Sequence, residues 1–416
     1  MAQLSDDCFA FGGALMPVDE AVALIGARVQ AVEGVETLAL HDADNRVLAQ
    51  ALHAPVPLPL FMNSAVDGYA ISSADLPQDG PRAYMISQRV TAGDVAAPLA
   101  QGTVARIFTG APMPEGADTV FMQEDVELDG GQVILPAGLK PRANMRPAGE
   151  DIEKGALAIA AGTRLRPQHV ALAAALGLTE LIMRRRIKVA VFSTGNEVVA
   201  PGDARTSAQL YDSNRFMLAA LLRRMGCDVS DLGILRDERA ALSGALKQAA
   251  KDHDLILTSG GVSTGEEDHV RASVEAAGSL VLWRMGIKPG RPVAMGVIGG
   301  TPFIGLPGNP VAAFVTFAYV VRPTVLALAG ALPEPLVPLP VRAQFAYKKK
   351  KGRREYVRAS LMTLSDGSRA ADKFPREGAG LLSSLCETDG LVELPEDCAG
   401  VAPGDTVGFL AYPALA

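Results

Sequence analysis

The chain has 416 residues, too many for one ordinary hydrophobic core, so its length predicts two to four domains. Hydrophobic residues make up 49% and charged residues 20%, as in soluble globular proteins, and the formal net charge of −7 disfavours general nucleic-acid binding. The four cysteines, Cys8, Cys227, Cys386 and Cys398, form no CxxC pair, which disfavours a zinc ribbon, a redox motif or a disulfide framework and fits a reducing compartment.

The N-terminal region is predicted to be helical. Residues 1 to about 52 include "VDEAVALIGARVQAV", where apolar positions recur at helical spacing. The first residues, "MAQLSDDCFAFGG", are acidic and have no basic segment before an apolar core, so no signal peptide is expected. A helix is predicted again at "RPQHVALAAALGL". Residues 1–52 and 150–186 are therefore assigned to a helical linker domain, domain I.

Residues 53–149 change character and predict a small, mostly β domain, domain II. "HAPVPLPLF" is rich in proline, and short β-prone runs such as "AYMISQRV" and "ARIFTG" alternate with Gly/Pro turns. Asp67-Gly68 and Thr109-Gly110 are typical turn dipeptides. Composition alone does not indicate a function for these two turns.

Residues 187–330 alternate between strand and helix, which predicts domain III, a doubly wound, mostly parallel sheet with helices on both faces. "IKVAVFST", "CDVSDLGIL" and "DLILTS" are the predicted strands, and "SNRFMLAALLRRMG" and "ERAALSGALKQAAKD" the predicted helices. In the first helix, Ser213 is the expected N-cap and Gly226 the expected stop.

One apolar stretch in this region raises the question of a membrane span. "VAAFVTFAYVV" is apolar throughout, but Arg322 and Pro323 are expected to stop it well short of the roughly 20 residues that a bilayer requires. It predicts a buried helix and no membrane association.

The last region, residues 331–416, predicts a C-terminal β domain, domain IV. "LPEPLVPLP" is typical of a linker, and "EYVRASLMTL" and "GLVELPED" of strands. The basic run "KKKKGRREYVR" is more typical of a solvated β-turn than of a nucleic-acid patch, although it would bind phosphates if it folded over a crevice. The expected fold class is thus α/β multidomain, with a helical linker domain and two smaller mostly-β domains.

Four loops of the α/β region are expected to carry the chemistry, because ligands of open α/β sheets bind outside the carboxyl ends of the strands. They are "STGNE", "LRDE", "TSGGVSTGEED" and "GLPGNP". Parallel strands would bring them together although they are far apart in sequence.

The loop "TSGGVSTGEED" is the most informative of the four. Its glycines would let backbone N–H groups approach an oxyanion at the N-terminus of the following helix. It is neither a Walker A loop nor a GxGxxG fingerprint, so an ordinary NTPase and a Rossmann dehydrogenase are both disfavoured. The alternative is a tight turn that only connects strand to helix.

Three carboxylates, Glu197, Asp237 and Asp268, follow different strands and are predicted to lie around the same crevice at the strand ends. Grouped carboxylates beside a phosphate site typically hold Mg²⁺. Taken singly, each is equally well explained as a helix cap or a solvated charge. "GIKPGRP" adds Lys288 and Arg291, which would face one anion across a turn, or else lie on a solvated hairpin.

Together the motifs become recognisable. The segments "MNSAVDGYAI", "RIFTGAPMPEGADTV", "RPAGEDI", "VAVFSTGNEV", "YDSNRFML", "LTSGGVSTGEED", "IKPGRP" and "GLPGNPVAAFVTF" occur in this order. In this order they closely resemble the molybdopterin molybdenumtransferase family, MoeA and the gephyrin E domain. The resemblance spans nearly the whole chain.

The resemblance implies four domains, with domain III as the molybdopterin-binding one, and a homodimer whose active sites combine the α/β domain of one subunit with the β domain of the other. It implies insertion of molybdate into adenylylated molybdopterin, with release of AMP and a divalent cation such as Mg²⁺ as cofactor. It also implies a cytoplasmic enzyme whose adenylate comes from a separate molybdopterin adenylyltransferase.

The family's functional positions carry over by motif. The expected catalytic residues are Asp67, Thr109, Asp151, Glu197, Asp237 and Asp268, of which Glu197, Asp237 and Asp268 would hold the metal. The expected substrate-binding residues are Ser259, Gly260, Gly261, Ser263, Lys288, Arg291, Pro307, Pro310 and Arg358. Two positions depart from the family pattern: Arg291 replaces a common lysine and Ala379 a common serine.

Two other functions compete with this interpretation. The adenylyltransferase of the preceding step resembles the central domain alone, so the additional β domains disfavour it. A non-catalytic scaffold of the gephyrin type would leave the acidic cluster without a purpose.

Overall fold

The computed structural model describes residues 15–235, 239–260 and 269–415, and three six-stranded sheets organise this part of the chain. Eight α-helical segments are present in it: α1 (Val18–Arg28), α2 (Pro167–Ala175), α3 (Asn214–Arg224), α4 (Arg239–Asp252), α5 (His269–Ala277), α6 (Pro310–Thr316), α7 (Arg322–Leu328) and α8 (Ser383–Cys386). Short two-stranded pairs join Asn63–Ser64 to Met145–Arg146, Leu52–His53 to Leu157–Ile159, Val198–Val199 to Leu210–Tyr211, and Tyr347–Lys348 to Gly400–Val401.

The N-terminal region is only partly helical, which corrects the prediction for residues up to about 52. Helix α1 is present, but Val35–Ala39 is a strand that pairs antiparallel with Glu180–Arg184. Gly34 separates the two elements with φ +109°, a conformation that no helix tolerates. Leu38 then packs against a small apolar cluster that includes Leu48.

The predicted β region forms the first six-stranded sheet. Its strands are Gly68–Ile71, Arg82–Val90, Thr103–Ile107, Thr119–Met122, Glu127–Asp129 and Gln132–Leu135. Alternate side chains enter different apolar clusters: Tyr69 and Ile71 contribute to one, Ala70 to the other. The period of two expected for a strand therefore buries residues on both faces.

The α/β region contains the second sheet, built from β1 (Lys188–Ser193), β2 (Asp228–Ile234), β3 (Leu255–Ser259), β4 (Gly278–Arg284), β5 (Pro292–Ile298) and β6 (Thr301–Leu306). The spatial order is β2-β1-β3-β6-β5-β4. The pairs β2/β1, β1/β3 and β3/β6 are parallel, while β6/β5 and β5/β4 are antiparallel. This confirms the mostly parallel sheet.

Helices cover both faces of this sheet, as predicted. Along β1, Val189 and Val191 join the core that includes α1, α3 and the long helix Pro310–Leu328, whereas Ala190 and Phe192 join the core under α4 and α5. Helix α3 begins after Ser213 and is followed by Gly226 at φ +83°, both as expected. The Ser213 side chain makes no capping bond; the backbone N–H of Arg215 instead donates to Asp212 Oδ1 (3.2 Å).

The apolar stretch near residue 310 is a buried helix, but the predicted stop at Arg322 and Pro323 is wrong. The helix continues through a π-helical turn, Phe317–Val321, and ends at Leu328. Pro323 has no backbone N–H, and the π-helical turn before it accommodates the missing hydrogen bond. The Arg322 side chain donates to Glu334 O (2.7 Å) and Oε2 (3.1 Å). The 19-residue helix Pro310–Leu328 is long and apolar enough to span a membrane, yet 83% of its 18-residue apolar stretch is buried inside the protein.

The C-terminal region forms the third sheet, with strands Leu339–Ala343, Arg354–Thr363, Arg369–Lys373, Gly390–Leu394 and Thr406–Ala411. Pairing of Arg354–Thr363 with Gly390–Leu394 closes these five strands into a barrel. A sixth strand, Ile287–Lys288, comes from the α/β region and pairs in parallel with Arg354 and Glu355. The barrel and the α/β sheet therefore meet at Lys288.

A buried ion pair holds the start of β3 against the segment before β1, and it predicts a pH-dependent stability. Arg185 donates to both carboxylate oxygens of Asp254 (2.7 and 2.8 Å), and Lys188 N donates a third bond (2.9 Å). Burial would raise the pKa of Asp254, but these hydrogen bonds outweigh it and the pKa is lowered. The pair's stabilisation is therefore present above the carboxyl's unfolded pKa and is lost as pH falls through the lower folded pKa.

We expect Asp254→Asn to lower the free energy of unfolding by about 2 kcal/mol at neutral pH, since it leaves Arg185 without its charged partner. Urea denaturation of wild type and variant at neutral and acidic pH measures this, and the difference should shrink in acid. Asp252→Asn, two residues away and exposed, is the matched control. Equal stabilities of wild type and Asp254→Asn at neutral pH would contradict the assignment.

Candidate active site

The strand-end loops of the α/β sheet meet at one edge, because β1, β2, β3 and β6 run parallel. Leu235 N donates to Ser193 O (2.9 Å), Thr194 N to Ser259 O (3.4 Å), and Gly260 N to Leu306 O (3.1 Å). The described parts of the four predicted loops are thus in contact.

Gly260 lies at the centre of this edge and leaves no room for a side chain. Its φ is +89°, and a Cβ would sit 2.7 Å from the carbonyl oxygen of Thr194. A Cβ on Gly308 would lie 3.9 Å from the Gly260 Cα, so three loops pass close to one another as bare backbone. Gly261, Ser263, Asp237 and Asp268 lie outside the described residues.

We expect Gly260→Ala to lower the free energy of unfolding by about 2 kcal/mol or more, from the left-handed conformation and the clash with a backbone oxygen. Gly202→Ala is the matched control, since Gly202 has φ +95° and open space around its Cβ position. Thermal or urea unfolding of both variants isolates the clash. Equal losses for the two would show that Gly260 is not sterically constrained.

Several polar atoms at this edge are buried without a partner among the described residues. Asn214 Nδ2 donates to Ser259 Oγ (2.8 Å) and to Gly308 O (2.7 Å), while its Oδ1 accepts nothing. The hydroxyls of Ser193, Thr194 and Thr258 are also unpartnered. Such atoms are expensive to bury unless a ligand completes them. Sequence reasoning missed Asn214, although the motif "YDSNRFML" contains it.

Glu197 is the one predicted metal ligand that the described residues include. It is exposed at the same edge, and its carboxylate folds over Gly195, whose Cβ position lies 2.6 Å from Glu197 Oε2. A carboxylate is a hard oxygen ligand of the kind that suits Mg²⁺. Within the described residues no cluster of three metal-type side chains is present.

The two turns of the β region that sequence motifs singled out are in direct contact. Asp67 Oδ1 accepts both the backbone N–H and the hydroxyl of Thr109, each at 2.8 Å. The backbone bond, then the hydroxyl bond, lower the pKa of Asp67. Gly68 lets the chain after this turn lie close to the neighbouring strand of the sheet, Thr119–Met122, because a Cβ on Gly68 would lie 1.7 Å from Phe121 O.

Asp151 is a third predicted residue outside the α/β sheet. Its side chain is exposed, and its backbone N–H donates to Leu58 O (2.9 Å). Among the residues that the structure describes, no hydrogen bond or ion pair joins Asp67, Thr109 or Asp151 to the strand-end edge. Within one chain, therefore, Asp67, Thr109 and Asp151 form no described bond to the predicted residues of the strand-end edge.

A pocket of about 180 Å³ opens where Lys288 meets the barrel. Its described lining is Lys288, Pro289, Tyr347, Tyr356, Val357, Arg358, Lys373, Phe374, Arg376, Glu377, Gly378 and Ala379. The predicted residues Lys288 and Arg358 are thus brought together, whereas Arg291 is exposed and absent from this lining. Sequence reasoning missed Tyr347, Lys373 and Arg376.

Lys288 is anchored at the mouth of the pocket. Its Nζ donates to Tyr347 Oη and to Glu355 Oε2, both at 3.0 Å. Burial would lower the pKa of Lys288, but these two bonds outweigh it and raise the pKa, so the ammonium stays charged. Two of its three N–H donors are occupied, which leaves one for a ligand.

Arg358 is the most deeply buried cation of the pocket, with 7% of its surface exposed. It donates to the carbonyls of Gly378 (3.1 Å) and Arg376 (3.2 Å), and its Nε has no partner among the described residues. No carboxylate in the described chain forms an ion pair with it. A buried guanidinium without an acidic partner favours an anionic ligand.

The last predicted positions, Pro307 and Pro310, lie between this pocket and the strand-end edge. Pro307 is buried after β6, and Pro310 is the first residue of α6. Val311 N donates to Ala379 O (3.0 Å), so the α6 N-terminus contacts the pocket lining. The pocket and the strand-end edge are therefore connected through one short loop.

Comparison with known proteins places this architecture. Three family models match consecutive parts of the chain: the MoeA N-terminal region (domain I and II) matches residues 16–177, the probable molybdopterin binding domain residues 190–327, and the MoeA C-terminal region (domain IV) residues 340–412. The solved MoeA structure from Pyrococcus horikoshii OT3 is similar with a TM-score of 0.80 at 28% identity, covering 96% of this chain and 100% of that one.

Two relatives are similar over nearly their full length. The molybdopterin molybdenumtransferase of Haemophilus influenzae is 37% identical over 375 residues, covering 89% of this chain and 92% of the relative. Molybdopterin molybdenumtransferase 2 of Mycobacterium tuberculosis is 34% identical over 385 residues, covering 88% and 93%. The three successive model matches and these relatives show that the chain belongs to the molybdopterin molybdenumtransferase (MoeA) family.

Proposed function

We propose that this protein is a molybdopterin molybdenumtransferase that inserts molybdate into adenylylated molybdopterin and releases AMP. Relatives of this name align with most of the chain, and all three MoeA family regions are present. Oxyanion binding is supported by Arg358, which is buried in a pocket with Lys288 and has no carboxylate partner among the described residues. Molybdate is a tetrahedral dianion of the kind that such a pair of cations binds.

The strand-end edge is the proposed site for the adenylate. The unpartnered oxygens of Asn214 and Thr194 would bind its polar groups, and the backbone around Ser259 and Gly260, continuing into Gly261 and Ser263, would bind its phosphate. Glu197, with Asp237 and Asp268, would hold the Mg²⁺. These carboxylates would hold a cation that would supply charge neutralisation at the phosphate. The chain's own part is to hold the adenylate phosphate in a fixed, polar cradle beside the oxyanion pocket.

A homodimer with composite active sites accounts for the separate groups of predicted residues. Asp67 and Thr109 are joined to each other, yet no described contact links them to the α/β edge of the same chain. We infer that they, with Asp151, complete the site of the partner subunit. The separation of these groups and the family resemblance both support a composite site.

The supply of substrate and the compartment follow from the same proposal. A separate molybdopterin adenylyltransferase would provide the adenylate. The cytoplasm is the proposed location, because the described cysteines are free and a reducing compartment keeps them so. Burial raises the pKa of Cys227 to about 12, so this thiol stays protonated at neutral pH.

One incubation separates the proposal from its rivals. Purified protein receives either molybdopterin with ATP and Mg²⁺, or adenylylated molybdopterin with molybdate and Mg²⁺. We expect AMP only in the second reaction, and only with molybdate present. Formation of adenylate in the first reaction would identify an adenylyltransferase, and no reaction in either would favour a scaffold.

A further inference from the structure

One face of the sheet in the β region ends beside the contact between Asp67 and Thr109. Tyr69 and Arg106 lie directly opposite each other on neighbouring antiparallel strands, so their side chains share this face. Asp67 stands two residues before Tyr69, and Phe108 stands two residues after Arg106. The period of two therefore brings Asp67 and Phe108 to the same end of the face, next to Arg106.

The guanidinium of Arg106 bonds to the backbone of the Asp67 turn. Its Nη1 donates to Gly68 O (3.1 Å), and its Nη2 donates to Gln123 Oε1. The backbone N–H of Gln123 in turn donates to Asp67 O (3.0 Å). These bonds form a closed ring around the turn, and the planar fork of an arginine reaches both acceptors at once.

Two aromatic rings fix the plane of this guanidinium. Arg106 Cζ lies 4.6 Å from the centroid of the Phe108 ring and 5.0 Å from that of Tyr69, which is buried. Phe108 directly precedes Thr109, the donor of both hydrogen bonds to Asp67 Oδ1. Arg106 therefore contacts the chain on both sides of the pair that Asp67 and Thr109 form.

Asp67 uses only one carboxylate oxygen inside its own chain. Oδ1 accepts both bonds from Thr109, whereas Oδ2 accepts no hydrogen bond from any residue that the structure describes. The two bonds from Thr109 lower the pKa of Asp67, and the nearby charge of Arg106 lowers it further, so the carboxylate is ionised. One oxygen is thus held in place and the other is available to a ligand.

Arg89 shows that stacking on Phe108 alone does not make this contact. It lies beside Arg106 in the parallel strand register, and its Cζ is also 4.6 Å from the Phe108 ring centroid. Arg89 is exposed, however, and donates no hydrogen bond to any residue in the described part of the chain. Of the two arginines at this ring, Arg106 is the one that bonds to the turn.

We propose that Arg106 is a positioning residue, which fixes the turn so that Asp67 presents its remaining carboxylate oxygen in one orientation to the composite active site. This inference rests on the proposed function and its shared site. Small displacements of a reacting group lower the rate strongly, so a fixed turn is worth more than its hydrogen bonds alone. Sequence reasoning singled out Thr109 in "RIFTGAPMPEGADTV" but not the arginine that begins this motif.

The test compares Arg106→Gln with Arg89→Gln, which removes the same charge and a contact with the same ring but no bond to the turn. We measure kcat for AMP release and the KM values for molybdate and adenylate. For Arg106→Gln we expect kcat to fall about tenfold, with the KM for molybdate unchanged. Arg106→Lys should recover part of kcat, and Arg89→Gln should match wild type.

A double variant separates positioning from general damage to the fold. If Arg106 acts through Asp67, then adding Arg106→Gln to Asp67→Ala should lower kcat no further than Asp67→Ala alone. Losses that multiply in the double variant would overturn the proposal, because they would show that Arg106 acts independently of Asp67.

Hydrogen exchange at the backbone N–H of Thr109 reports on the turn without turnover. This N–H donates to Asp67, so loosening of the turn should speed its exchange by about tenfold in Arg106→Gln and leave it unchanged in Arg89→Gln. Equal exchange rates in wild type and Arg106→Gln would overturn the positioning role even if kcat fell. Absence of AMP release by wild type would instead remove the proposed function and any part of Arg106 in the reaction, while the exchange rates would still decide whether Arg106 fixes the turn.

Discussion

Replacing Arg358 with glutamine is expected to raise the molybdate concentration for half-maximal AMP release by about 100-fold or more. Arg358 is buried and bonds to two carbonyls, so the variant loses the charge in the least solvated part of the pocket. Loss of a charge-assisted contact in such a place lies at or above the upper end of roughly 1.5–3 kcal/mol. The measurement is a molybdate titration at saturating adenylate.

Two further variants make this result specific. Arg358→Lys restores the charge without the planar fork and should recover part of the affinity. Arg291→Ala removes an exposed cation outside the described lining and should have a smaller effect than Arg358→Gln. If Arg291→Ala alone reproduced the full loss, the oxyanion would belong near Arg291, as the sequence motif suggested.

Mixing two inactive variants is expected to restore activity if the sites are shared between subunits. Asp67→Ala removes the acceptor of Thr109 in the β region, and Glu197→Ala removes the carboxylate at the strand-end edge. Each alone should lower AMP release by about 100-fold. A mixed dimer keeps one site with both residues intact, so a random mixture should regain about a quarter of wild-type activity.

The assembly state provides the control for this experiment. Mixing must be done under conditions that exchange subunits, with differently tagged chains to verify the heterodimer. A verified heterodimer without recovery would show that each site lies within one subunit. The proposed function would survive that result, but the composite site would not.

The elements of the α/β sheet were predictable because their signals are local. Strand and helix alternate over short windows, and β1 alternates between two cores at Val189 and Ala190. The errors arose where the local sequence pattern does not decide the structure. Val35–Ala39 is a strand because Glu180–Arg184 lies beside it, and Pro323 does not end its helix because a π-helical turn precedes it.

The candidate site was predictable to the extent that motifs mark single residues. That Asp67 and Thr109 bond to each other follows from strand pairing across 42 positions, which no motif encodes. Neither does a motif show that Glu355, 67 residues from Lys288, already holds that lysine. The partners that decide which cation is free to bind an anion are set by the register of the barrel.

The most direct test of the account is a single-turnover reaction with limiting adenylylated molybdopterin, excess protein, molybdate and Mg²⁺. We expect one AMP to be released, and one molybdenum to be bound to the pterin, for each adenylate consumed, with neither product formed when molybdate is omitted. AMP release at the same rate without molybdate, or AMP release without molybdenum on the pterin, would contradict the assignment of this chain as a molybdenumtransferase.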